Sequence, residues 1–145
     1  MSEHTNCAYE YTVRRGDSFY LIAQKTGITL RELIAANPKV CRFLHLSMQH
    51  GADRILKLMN RRYDAAGFVD FAGKIKTLVP GIHLGTDFIV GFPGETEADF
   101  AEALQVGKQI GFANIHCFAY SPRPGTAAAE MPGRVHPDAV KERMS

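Results

Sequence analysis

The sequence predicts an α/β chain: a partial parallel sheet over residues 41–145, preceded by a small α+β unit over residues 9–38. Three observations carry this expectation. From Cys41 onward, strand-like and helix-like patterns alternate, which calls for parallel strands joined by right-handed crossovers. Between Tyr9 and Pro38 a single strand pattern is followed by two short helix patterns. After Pro38 both composition and rhythm change.

The first unit opens with Tyr9 to Val13, an alternation of β-formers with a polar residue that reads as a short strand. Arg15-Gly-Asp-Ser18 follows as a turn that also supplies an N-cap, Asp17 or Ser18. Phe19, Leu21, Ile22 and Ala23 make one short helix, stopped by Gly27. Thr29 with Glu32 three residues later is a capping box, and Leu30, Leu33 and Ile34 supply that helix's apolar face. Asn37-Pro38 ends it.

In the second unit, Cys41 to Leu46 reads as a strand ending in the loop Ser47–Gly51, and Ala52 to Met59 is helical in pattern. Asp64 caps a longer helix with Phe68, Phe71, Ala72, Ile75 and Leu78 at helical spacing. Its internal Gly67 and Gly73 each cost about 1 kcal/mol relative to Ala. Val79-Pro-Gly81 closes it. Ile82 to Val90 is the next strand, and its Phe88-Ile-Val90 run suits burial on both faces. Thr96 and Asp99 form another capping pattern. Phe100, Ala103, Leu104, Gly107 and Ile110 make the stripe of the helix that Gly111 stops. Asn114 to Tyr120 is the third strand, and the tail is expected to form one more short helix.

With 46% hydrophobic and 22% charged residues, the chain has enough apolar material for a core. A net charge of +2 is weaker than nucleic-acid binders usually concentrate, so the basic group Arg54, Lys57, Arg61 and Arg62 reads as a solvated helix face. The start, Met1-Ser-Glu-His-Thr-Asn-Cys7, lacks the pattern of a secretory signal. No apolar run approaches the roughly 20 residues of a membrane span. The expected location is the cytoplasm, with no membrane partner. Cys7, Cys41 and Cys117 stand 34 and 76 positions apart, which excludes a local metal motif and leaves reduced thiols, with Cys41 and Cys117 as small core residues.

Parallel α/β folds bind ligands at the C-terminal ends of their strands. Here those ends are Ser47–Gly51, Gly91–Glu95 and Tyr120–Gly125, all rich in Gly, Pro and small polar residues.

The run Tyr11-Thr-Val-Arg-Arg-Gly-Asp-Ser18 through Leu33-Ile-Ala-Ala-Asn-Pro38 resembles a LysM module. That resemblance implies a shallow groove for N-acetylglucosamine polymers such as peptidoglycan or chitin, with Gly16, Asp17, Ser18 and Asn37 as glycan-binding candidates. The family's closing strand does not follow, so the module over 9–38 is truncated.

The segments Cys41-Arg-Phe-Leu-His-Leu-Ser-Met-Gln-His-Gly51, Thr86-Asp-Phe-Ile-Val-Gly-Phe-Pro-Gly-Glu-Thr96 and Phe118-Ala-Tyr-Ser-Pro-Arg-Pro-Gly-Thr126 resemble the radical-SAM tRNA methylthiotransferases. Their order and spacing are most similar to the threonylcarbamoyladenosine branch, with the isopentenyladenosine and ribosomal-protein branches as near alternatives. The resemblance implies that residues 41–145 are the C-terminal half of a six-stranded open barrel, a half-barrel of radical-SAM type. It further implies S-adenosylmethionine and [4Fe–4S] as the family's cofactors and tRNA as its substrate. Gln49, Asp87, Ile89 and Gly91 become candidates to line the S-adenosylmethionine site.

The family's C-x-x-x-C-x-x-C cluster motif and Gly-Gly-Glu stretch are missing from these 145 residues. Three thiolates at one cluster have no substitute here. The expectation is therefore a related chain that binds neither cofactor and is inactive alone, the alternative being a glycan-binding protein. A half-barrel also leaves the first strand with an open edge. Dimerisation, or pairing with Tyr9–Val13, is expected to cover it.

Overall fold

The computed structural model describes residues 42–145, together with Gly27 and Thr29. The chain divides into two units between Arg42 and Phe43, and every element below belongs to the second. The expected strand Tyr9–Val13, the two helices before Pro38 and Cys41 lie outside the described residues.

The order is β1 (Phe43–His45), α1 (Asp53–Leu58), α2 (Ala65–Leu78), β2 (His83–Val90), α3 (Glu97–Ile110), β3 (Asn114–Ala119), α4 (Ala127–Glu130) and α5 (Pro137–Met144). The three strands form one parallel sheet in the order β1-β2-β3. This is the strand–helix alternation read from the sequence. β1 and β3 are the sheet's two edges, and no described residue pairs with the outer side of β1.

β1 ends at His45, one residue before the expected Leu46, because the chain turns on itself. Met48 N–H donates to Leu46 C=O at 2.8 Å, which breaks the ladder. The chain rejoins β2 one step later, where Gln49 N–H donates to Asp87 C=O at 2.9 Å and Ile89 N–H donates to Gln49 C=O at 2.8 Å.

The two long helices begin as their residues dictate. Asp64 Oδ1 accepts from Gly67 N–H at 2.7 Å, and Asp53 Oδ1 accepts from Ala65 N–H at 2.7 Å. Thr96 and Asp99 close a reciprocal capping box on α3. Gly111 stops α3 at φ 65°. Lys76 Nζ donates to the carbonyls of Ile110 and Gly111, placing a cation on the negative end of α3.

Leu84, Thr86, Phe88 and Val90 on one face of β2 are buried, with Ala72, Ile75, Ala103, Val106 and Ile110 of α2 and α3 in the same core. Phe88 lies against Gly107 of α3 and Phe112. His83, Asp87 and Ile89 point to the other face and are exposed or partly so.

Several expected core positions differ. Phe71 and Leu78 of α2 are about half exposed, as is Leu104 of α3, whose place in the buried stripe is taken by Val106. A stripe of α3 centred on Ala103 and Gly107 puts Val106 inward and turns Leu104 out. Cys117 is half-buried rather than a core residue. The tail forms two helices rather than one, since Thr126 and His136 each open a turn of their own. The basic group is not one helix face: α1 ends at Leu58, and Asn60 takes a left-handed conformation (φ 57°). Arg61 N–H then donates to Leu56 C=O and Asn60 N–H to Lys57 C=O, a Schellman closure that sends Arg61 away from the helix.

Candidate functional site

The loops at the C-terminal ends of the strands surround an open groove of about 610 Å3. Gln49 comes from the loop after β1, Asp87 and Ile89 from β2, Phe118 and Ala119 from β3, and Tyr120, Ser121 and Arg123 from the loop that follows. Arg61 completes one wall. Three of the four sequence-derived candidates for S-adenosylmethionine, Gln49, Asp87 and Ile89, therefore line one groove. Gly91 does not. It borders a second cavity of about 310 Å3 with Pro93, Pro122, Pro137 and Val140, and Tyr120 borders both. The glycan candidates Gly16, Asp17, Ser18 and Asn37 lie outside the described residues.

Gln49 owes its position to strain that the ladder over-determines. Its φ is 70°, a left-handed conformation that costs a non-glycine residue roughly 1 kcal/mol. Both its N–H and its C=O are held by β2. Just upstream, Met48 N–H donates to the buried Thr86 Oγ1 at 3.1 Å, and Tyr63 Oη lies within hydrogen-bond distance of the carbonyls of Ser47 (3.0 Å) and Met48 (2.9 Å). Burial pushes the Tyr63 phenol up, so it stays a donor. Neither Tyr63 nor Thr86 was legible in the sequence, since each acts through a long-range bond.

Asp87 is the one carboxylate among the groove's lining residues, which also include the cationic Arg61 and Arg123. His45 Nε2 lies 3.1 Å from its Oδ2. His116, directly across on β3, stacks at a tilt with His45, their centroids 6.0 Å apart.

The turn after β2 is built around a fully buried carboxylate. Glu95 Oε2 accepts from Gly91 N–H at 2.6 Å and Phe92 N–H at 3.0 Å, while Oε1 accepts from Arg143 Nη1 at 2.8 Å. Burial pushes the Glu95 carboxyl up, and these donors with the Arg143 charge oppose it. His50, buried beside them, accepts from Ala52 N–H at its Nδ1 (3.0 Å), so its Nε2 carries the proton in the neutral ring. Burial holds its pKa down to about 4, with Arg143 and Arg54 acting in the same direction and Asp99 against it. Asp99 also receives Arg54 Nε at 3.1 Å, and that guanidinium holds its carboxyl well below the usual range. This pair ties α1 to the start of α3.

Among the described residues, no group of three His, Cys, Asp or Glu side chains is placed to hold a metal ion, and Cys117 is the one described cysteine. No described helix is long and apolar enough to cross a membrane.

The family model of the Radical SAM superfamily matches residues 10–106. That match runs through the stretch resembling a LysM module and gives that resemblance no support. The tRNA-2-methylthio-N(6)-dimethylallyladenosine synthase of Pelotomaculum thermopropionicum is 45% identical over 86% of this chain and 28% of its own length. Threonylcarbamoyladenosine tRNA methylthiotransferase MtaB of Thermotoga maritima is 44% identical over 74% of this chain and 25% of its own. The chain thus spans about a quarter of the length of these curated relatives. Coproporphyrinogen III oxidase (HemN) from Escherichia coli, described as a radical SAM enzyme, superposes with a TM-score of 0.61 at 16% identity, over 90% of this chain and 28% of that one. That likeness shows the fold alone. The chain belongs to the radical SAM superfamily and is related over most of its length to the tRNA methylthiotransferases.

Proposed function

We propose that residues 41–145 form the C-terminal half of a methylthiotransferase barrel, and that the groove at the strand ends is part of its S-adenosylmethionine pocket. The observation that carries this reading is the convergence of Gln49, Asp87 and Ile89, from two separate segments, on one groove. S-adenosylmethionine presents an apolar adenine face, a sulfonium, an ammonium and a carboxylate. Ile89, Phe118 and Tyr120 supply apolar wall, Asp87 an anion for the cationic groups, and Arg61 and Arg123 cations for the carboxylate. Gly91, turned toward the second cavity, acts through the backbone turn that follows β2. When bound, S-adenosylmethionine supplies the bond whose cleavage yields the family's radical.

The described residues do not fit an iron–sulfur cluster, which needs several thiolates at one point. No radical step is assigned to them, and the chain on its own is proposed to be inactive. For the whole protein of which such a barrel is part, the proposed reaction is methylthiolation of an N6-modified adenosine in tRNA. The motifs favour the threonylcarbamoyladenosine branch. Relatives named for the dimethylallyladenosine reaction match at 45–50% against 44% for the threonylcarbamoyladenosine enzyme, so the proposed substrate is an N6-modified adenosine of either kind.

Equilibrium dialysis with radiolabelled S-adenosylmethionine tests the pocket. The missing cluster motif led to the expectation that neither cofactor is held, but the meeting of Gln49, Asp87 and Ile89 in one groove supports a retained S-adenosylmethionine pocket without the cluster. Saturable binding is therefore expected, weakened about tenfold by Asp87→Asn through loss of a charged contact. No saturable binding by the intact chain would sink the reading.

A further inference from the structure

The face of the sheet that carries Asp87 holds a row of three titratable side chains, one on each strand. His45 of β1, Asp87 of β2 and His116 of β3 lie side by side, with His45 Nε2 3.1 Å from Asp87 Oδ2 and the two imidazole centroids 6.0 Å apart. His116 Nε2 is in turn 3.2 Å from Asn114 Nδ2, which leaves it committed to its own strand. Asp87 lines the groove, whereas His45 does not. The other carboxylate oxygen, Oδ1, has no hydrogen-bond partner among the described residues.

The His45–Asp87 contact contributes little to stability. Both side chains are about a third exposed, and such pairs are worth between nothing and about 1 kcal/mol. Its effect is directional, because an aspartate side chain has two rotatable bonds, the first placing the carboxylate and the second, which is soft, deciding which oxygen faces which neighbour. Resting on the S-adenosylmethionine reading of the groove, we propose that His45 is a positioning residue: it holds Asp87 Oδ2, so that Oδ1 is presented to a hydrogen-bond donor of the ligand. That donor is a ribose hydroxyl or the methionyl ammonium.

Calorimetric titration of the intact chain separates these sources and tests the inference. The ligands are S-adenosylmethionine and 5′-methylthioadenosine, which keeps the ribose and lacks the ammonium. His45→Leu is expected to fold with unchanged urea midpoint yet bind about tenfold more weakly, and His45→Gln, which keeps an N–H at the Nε2 position, to recover most of the loss. A loss shared by both ligands places the donor on the ribose, and a loss confined to S-adenosylmethionine places it on the ammonium. If wild type binds and His45→Leu binds equally well, the inference fails alone. Should wild type bind neither ligand, the pocket reading fails and takes the inference with it.

Discussion

Arg143 of α5 donates from Nη1 to Glu95 Oε1 at 2.8 Å, and both side chains are almost wholly buried. The same guanidinium reaches Glu97 and lies over the Phe100 ring, 5.4 Å from its centroid. A helix near the end of the described chain is thereby fastened to the turn that leaves β2. Glu95 spends its second oxygen on the N–H groups of Gly91 and Phe92, so the turn's shape and the helix's position depend on one carboxylate.

Arg143→Met removes the cation and leaves Glu95 as an uncompensated buried charge. Breaking such a pair from one side costs about 3 kcal/mol or more. Urea denaturation of the purified variant is expected to show a loss of that size. A loss below about 1 kcal/mol, the range of exposed pairs, would show that the contact is not buried in solution.

Gly91 and Gly94 both have positive φ, at 75° and 81°, yet they differ in surroundings. A Cβ on Gly91 would lie 2.6 Å from Val140 Cγ2, while one on Gly94 meets nothing within 4 Å. Gly94→Ala is expected to cost only the left-handed penalty of about 1–2 kcal/mol. Gly91→Ala adds displacement of α5, for a total of about 2–4 kcal/mol. Equal losses would mean that α5 does not sit on this turn.

How much of this could be read from the chain is clearest at the helix ends. Asp64, Thr96 with Asp99, and Gly111 act locally, through bonds spanning a few residues, and each was legible. That the strands run parallel followed from the alternation of patterns, whereas their order β1-β2-β3 was implied only by the barrel resemblance. Gln49, Asp87 and Ile89 were picked by likeness, and their meeting in one groove rests on the rejoining of the chain to β2 after His45. That bulge carries no local signature, because a left-handed Gln49 is imposed by the ladder and not by its own preference. Asn60 could have been read as a helix stop, since Asn tolerates φ > 0, and that would have released Arg61 from the helix face. Arg143 on Glu95, 48 positions apart, was beyond any local pattern.

His50 sets a pH dependence. Its folded pKa of about 4 lies below the ordinary 6.5, so its neutral burial favours folding above about pH 6.5. That contribution, about 3 kcal/mol, is lost as the pH falls from 6.5 toward 4, where the unfolded chain gains a proton that the folded one refuses. Asp99, held low by Arg54, adds a further loss below about pH 4. Urea midpoints measured from pH 7 to pH 4 should fall steeply, and His50→Phe should flatten the upper part of the curve. An unchanged slope in that variant would contradict the assignment.

Gln49→Gly should separate stability from binding. Relieving φ 70° stabilises the fold by up to about 1 kcal/mol. Removing the side chain from the groove should weaken S-adenosylmethionine binding at the same time. A variant both less stable and unchanged in binding would place the Gln49 side chain outside the site.

The groove is tested most directly by mapping S-adenosylmethionine onto the backbone amides of the intact chain by NMR titration. Saturable shifts are expected at Gln49, Asp87 to Ile89 and Phe118 to Arg123, with none on the outer face of α2 around Asp70 and Lys74. Shifts confined to other residues, or none at saturating ligand, would contradict the assignment of this groove as the S-adenosylmethionine pocket.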